Sequence, residues 1–131
     1  MENKLKDTVE TITDKNFAVG NDLVFLPAFN DSLTDLFKNK VYTENERAYC
    51  DRFSESLQRY ASTWAAKEAV YKAVKQLDQK PLAWKKIEIT RAKLGGMPTV
   101  TLHQHADKFK ISLSISHDGG YVWAVALVQI K

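Results

Sequence analysis

A single cysteine, Cys50, leaves no intramolecular disulfide and no cysteine cluster for zinc. It points to a reducing, cytoplasmic setting. Histidine is nearly as scarce: His103, His105 and His117 show no His-x-x-x-His spacing for a metal. No apolar run is long enough for a membrane span. Residues 1–16 mix acids, bases and threonines and do not read as a signal peptide. A net charge of +3, with the basic residues scattered, is too weak to imply nucleic acid. It suits an acidic partner or a phosphate-bearing ligand. There is no repeat, no low-complexity tract and no linker rich in glycine, proline or serine.

What is present is ordinary globular material. The 131 residues are 44% apolar and 27% charged, enough for one domain with one core. We divide the chain into an N-terminal extension, residues 1–16, and a domain, residues 17–131. Leu5, Val9 and Ile12 have the spacing of a short helix in the extension. Phe17 to Leu26 reads as a buried strand ended by Pro27. Residues 31–39 read as a short helix capped by Asp31 or Ser32. Thr43 and Glu46 form a Thr-x-x-Glu capping box for a helix reaching Cys50. After a weak joint at residues 54–57, a long helix free of Gly and Pro runs from Leu57 to Leu77, with Pro81 as its limit.

The remainder alternates with period two. Strands are expected at residues 85–92, 98–103, 110–117 and 121–130, with turns at Gly95, Gly96 and Pro98 and at Asp118, Gly119 and Gly120. Grouped helices followed by grouped strands predict an α+β fold, mostly antiparallel, packed with the long helix.

The helix segment at residues 60–75, YASTWAAKEAVYKAVK, carries the most information. At 100° per residue, Ala66, Ala69, Val70, Ala73 and Leu77 form a core stripe. Glu68 and Lys72 lie opposite, one turn apart. Taken alone they form a solvated pair worth about 0.3–0.5 kcal/mol. Trp64, Ala61, Ala65 and Tyr71 flank them, however, which suggests a covered face, and a covered carboxylate needs a cation or hydrogen bonds. Asp22 raises the same question. It shares one strand face with Ala18, Gly20, Val24 and Leu26, and Gly20 in a strand marks close approach by a ligand or another backbone. His117 ends a strand before the Asp-Gly-Gly turn; alone it reads as a hydrogen-bonded structural residue.

Three elements together resemble the holo-acyl-carrier-protein synthase family of phosphopantetheinyl transferases: Gly20-Asn21-Asp22, the Trp64 to Lys72 stretch (W-A-A-K-E-A-V-Y-K), and Ser114-Ile115-Ser116-His117. The segment from Tyr42 to Cys50 resembles the family's stretch before the long helix. The resemblance implies a Mg²⁺-dependent enzyme that moves phosphopantetheine from coenzyme A to a serine of an acyl carrier protein, releasing adenosine 3′,5′-bisphosphate. It implies Asp22 and Glu68 as metal ligands and Lys72 as a phosphate contact. Lys67 and His117 would help to hold coenzyme A, and Glu68 would act as the base. It also implies a homotrimer with each active site between subunits.

The chain departs from the family pattern in three places. Residues 23–29 carry no charge where a basic residue usually grips the carrier. Thr63 stands where arginine is common. Residues 73–80 lack the glycine-rich turn, leaving Lys75 and Lys80 as substitute cations. Two alternatives therefore stay open: a non-catalytic coenzyme A or carrier-protein binding module of this fold, and a plain interaction domain with a surface Glu68–Lys72 bridge.

Overall fold

The protein's structure, a computed structural model, describes residues 16–131. The helix expected around Leu5, Val9 and Ile12 lies outside the described residues. Strand β1 spans Phe17–Phe25. Four helices follow: α1 (Leu26–Ser32), α2 (Asp35–Val41), α3 (Glu44–Cys50) and α4 (Ser56–Leu77). A short 3₁₀ turn, Trp84–Lys86, leads into β2 (Ile87–Arg91) and β3 (Pro98–Leu102), and the chain closes with β4 (Phe109–Asp118) and β5 (Tyr121–Ile130).

The helical region differs from the sequence expectation at its start. Pro27 does not simply end the strand; it sits in the first turn of α1, where its missing N–H costs nothing. The expected helix at residues 31–39 is two helices. The second is capped by Thr34, whose hydroxyl accepts the Phe37 N–H, rather than by Asp31 or Ser32. The capping box of Thr43 and Glu46 forms as expected.

The strands form two antiparallel sheets. One has the order β1-β5-β4 and the other pairs β2 with β3. β5 is central, paired on both edges. Val122, Ala124, Ala126 and Val128 are buried on the inner face, together with Ala18, Gly20 and Val24 of β1. Helix α4, about 33 Å long, lies across this face. Val19, Leu23, Phe25, Tyr121 and Trp123 are exposed on the outer face of the sheet.

Gly20 sets the distance between α4 and β1. A Cβ built on it would stand 2.0 Å from the Ala69 carbonyl oxygen and 2.8 Å from the Ala73 nitrogen. The close neighbour anticipated from glycine in a strand is thus another backbone. Alanines 61, 65, 66, 69 and 73 of α4 are fully buried, so small residues on both sides let helix and strand touch.

Candidate active site

β1 and α4 together bring the two distant acids into contact. Asp22 is on the inner face of β1, two residues beyond the point of closest approach to α4. Glu68 and Lys72 project from the flank of α4 beside it. The Lys72 ammonium lies 3.0 Å from Asp22 Oδ1 and 3.9 Å from Glu68 Oε2, and it donates to the Asn21 carbonyl at 3.1 Å. The Asp22 and Glu68 carboxyls are themselves within hydrogen-bonding reach. Glu68 is pushed up to about 7, first by burial and then by the hydrogen bond and charge of Asp22, while Lys72 pulls the other way. The Glu68–Lys72 pair is therefore no isolated surface bridge.

Aromatic residues cover this face, as the sequence suggested. Trp84 packs on Trp64 and Tyr71, with ring centroids 4.8 Å apart in both cases. Phe37 lies edge-on to Trp64 at 5.2 Å. A cleft of about 340 Å³ opens beside the acids, lined on its apolar side by Val24, Phe29 and Trp64.

The donor set fits a hard divalent cation. Two carboxylates pressed together carry one ammonium between them, and burial, reinforced by the neighbouring Asp22, makes Glu68 hold its proton more tightly than usual. Mg²⁺ commonly takes one or two carboxylates and completes its shell with phosphate and water. Among the described residues no group of three or more His, Cys, Asp or Glu could hold a metal unaided, so phosphate or water would have to supply the rest.

Lys67 does not join this cluster. It is fully buried on the other flank of α4. Its ammonium donates to Glu46 Oε1 and to the Ile87 carbonyl, each at 2.6 Å. Burial pushes Lys67 down and Glu46 up, and their mutual attraction opposes both shifts. Glu46 combines this pairing with its capping-box bond to Thr43; the sequence signalled only the cap.

His117 stands apart. Val122 pairs with both Val24 and His117, and Ala124 with both Asp22 and Ile115. His117 is therefore on the same sheet face as Asp22 but two strands away, about 10 Å across the sheet, exposed at the end of β4. Lys75 lies at the end of α4. It donates to the Gln79 and Lys80 carbonyls at 3.0 and 2.9 Å, closing the C-terminus of α4. Thr63 is buried, bonded to the Arg59 carbonyl and facing Cys50. Trp84 was not anticipated as part of the site; nothing in the segment before β2 signals that its ring returns to α4.

Comparison with known proteins identifies the family. Residues 18–126 match the family model described as the 4′-phosphopantetheinyl transferase superfamily. The holo-[acyl-carrier-protein] synthase of Chlamydia muridarum is 34% identical over 119 residues, covering 87% of this chain and 95% of the relative. The fatty acid synthase alpha subunit hexA of Dothistroma septosporum is 35% identical over 130 residues, covering 93% of this chain but only 7% of that much longer subunit. Among solved structures, the ACPS–CoA complex of Chronobacterium ammoniagenes superposes with a TM-score of 0.75 at 29% identity, covering 88% of this chain and 98% of that one. With that family match spanning both Asp22 and Glu68, the chain belongs to the 4′-phosphopantetheinyl transferase superfamily, as an enzyme of the holo-acyl-carrier-protein synthase type.

Proposed function

We propose that this enzyme transfers 4′-phosphopantetheine from coenzyme A to a serine of an acyl carrier protein, using Asp22, Glu68 and Lys72, and releases adenosine 3′,5′-bisphosphate. The observation that carries the proposal is the convergence of Asp22 and Glu68, 46 residues apart in sequence, on one ammonium beside an apolar cleft. The coenzyme A complex of the Chronobacterium ammoniagenes relative supports coenzyme A as co-substrate.

Asp22 and Glu68 would hold Mg²⁺, which, when bound, supplies a Lewis acid for the diphosphate. The remaining work falls to the chain. Lys72 is half-exposed on a flexible stem, so its ammonium can leave Asp22 for a phosphate oxygen. Trp64 and Phe29 line the cleft beside the reacting atoms. Glu68, beside the reacting atoms, would accept the proton of the serine hydroxyl, directly or through a water. The serine oxygen bonds to the β-phosphorus while the bond from that phosphorus to the bridging oxygen breaks, and adenosine 3′,5′-bisphosphate departs with the electron pair. His117 would contact coenzyme A from the end of β4.

The active assembly is read as a homotrimer. The exposed outer face of the sheet, with Leu23 61% and Trp123 49% accessible, is the kind of apolar patch that a partner covers. Copies of the same chain would bury it and complete each site. Light scattering at micromolar concentration tests this; a monomer would count against it. Residues 17–131 are taken as the catalytic domain. The free, buried Cys50 fits a reducing, cytoplasmic compartment.

Mass spectrometry tests the activity. Incubation with coenzyme A, Mg²⁺ and a panel of carrier proteins should add a phosphopantetheine mass to at least one carrier. Asp22→Asn and Glu68→Gln should each slow that reaction about 100-fold or more. Full turnover by either variant would refute the residue assignment. No mass shift on any carrier, with coenzyme A still bound, would favour the non-catalytic module.

A further inference from the structure

The reaction uses Glu68 but leaves unexplained the fully buried ion pair next to it. Lys67 and Glu68 are consecutive on α4 and point about 100° apart around its axis. The sheet-facing flank of α4 is built from alanines resting on Gly20 and the small residues of β1 and β5. Such a surface has shallow ridges. It permits close approach, and the side-chain bonds from α4 to β1, from Lys72 to the Asn21 carbonyl and from Gln76 to the Val19 carbonyl, are made at its exposed margin.

The Lys67 head is directional where that flank is smooth. It bonds Glu46 of α3 and the Ile87 carbonyl of β2. Glu46 in turn accepts the Ile89 N–H of β2 at 2.8 Å and the Thr43 N–H at 2.9 Å. One ammonium therefore ties α4 to two other elements through bonds that weaken steeply when misaligned. Stability alone does not account for the pair, because well-packed apolar replacements of buried ion pairs are often neutral or stabilising.

We propose that the Lys67–Glu46 pair is a positioning device that fixes the rotation of α4 and so holds Glu68 against Asp22. The proposal rests on the reading of Asp22 and Glu68 as divalent-cation ligands. With side chains reaching about 5–6 Å from the axis, a turn of ~10° would move the Glu68 carboxyl by roughly 1 Å. Displacements of that size can cost about 100-fold in rate.

The test is the double variant Lys67→Met/Glu46→Leu, in which both charges are replaced by apolar groups. Its melting temperature, the Mn²⁺ affinity of the free enzyme by electron paramagnetic resonance, and kcat and KM for the carrier protein are measured. The expected result is a folded protein with a lowered melting temperature, because the Ile87 carbonyl and the Ile89 and Thr43 N–H groups lose their partners, and, measured well below that melting transition, Mn²⁺ binding and kcat each reduced about tenfold or more, with KM for the carrier little changed. A folded double variant whose Mn²⁺ affinity and kcat both match the wild type overturns the proposal. If the double variant does not fold, Glu46→Asp keeps the charge pair but shortens its reach. Severalfold weaker Mn²⁺ binding at a near-native melting temperature then supports positioning, and unchanged binding overturns it. Asp22→Asn separates the two ideas: if that variant binds Mn²⁺ as the wild type does, the cation reading itself fails and the positioning proposal falls with it.

Discussion

Replacing Gly20 with alanine should damage stability and catalysis together. Two effects of opposite sign compete. In a strand, alanine is intrinsically favoured over glycine by roughly 0.5–1 kcal/mol. Against this, the new Cβ would stand 2.0 Å from the Ala69 oxygen, while ordinary contact begins near 3.4 Å, so about 1.4 Å of separation must be found. The obstructing atoms belong to the α4 backbone and cannot rotate away. Overpacking of this kind costs about 1–3 kcal/mol and sometimes more, so the clash outweighs the propensity. For a chain of this length, a net loss of about 2 kcal/mol lowers the melting temperature by roughly 8 °C. The movement also separates Glu68 on α4 from Asp22 on β1, and a misplacement near 1 Å costs about 100-fold in turnover. Thermal unfolding and carrier modification, measured on the same preparation, read both effects. A Gly20→Ala variant with wild-type melting and transfer would refute the claim that backbone contact here assembles the site.

Three further outcomes follow from the same geometry. Without divalent cations, Glu68 binds its proton more tightly in the folded chain, near 7 against 4.5; stability relative to Glu68→Gln should fall as pH rises from about 4.5 to above 7 and then level off, and a difference that rises across that window would contradict the burial of this carboxyl against Asp22. Lys72→Met removes the ammonium 3.0 Å from Asp22, so Mn²⁺ binding without coenzyme A should tighten about fivefold, the equivalent of ~1 kcal/mol for a half-exposed pair, while transfer slows; weaker Mn²⁺ binding would show that the lysine does not compete for the site. Cys50 is fully buried and its thiol is pushed up to about 11, chiefly by burial, so a thiol reagent at pH 8 should leave the native protein unlabelled and modify one cysteine after denaturation, and rapid native labelling would argue against this core.

Much of the fold was legible because its signals are local. The strict alternation of residues 110–117 and the Asp-Gly-Gly turn gave the β4–β5 hairpin, and the Thr43–Glu46 box gave the start of α3. The α1–α2 break was missed for a local reason too. Residues 31–39 look continuous, but Thr34 accepts the Phe37 N–H and restarts the helix. No periodic pattern reveals that, because each helix is only seven residues long. The pairing of β1 with β5, separated by about a hundred residues, is a non-local choice that only the shared inner face decides.

The site was legible as a set of acids needing a cation, but not as a complete polar plan. Asp22 in an apolar row and Glu68 among aromatics each posed a burial problem, and family resemblance joined the two. Lys67 posed the same problem, and the structure pairs it with Glu46. On a helical wheel it lies between the core stripe and the Glu68 flank, and its expected role came from the family resemblance alone. The desolvation argument, applied to the lysine itself, points elsewhere: a buried ammonium requires an acid, and Glu46 had seemed fully used by its cap. A carboxylate has two oxygens and about four acceptor sites, so the cap left room for both Lys67 and the Ile89 N–H. The general consequence is that a capping glutamate at the end of a buried helix face should be counted as a partner for any lysine on the neighbouring helix before that lysine is assigned to a ligand.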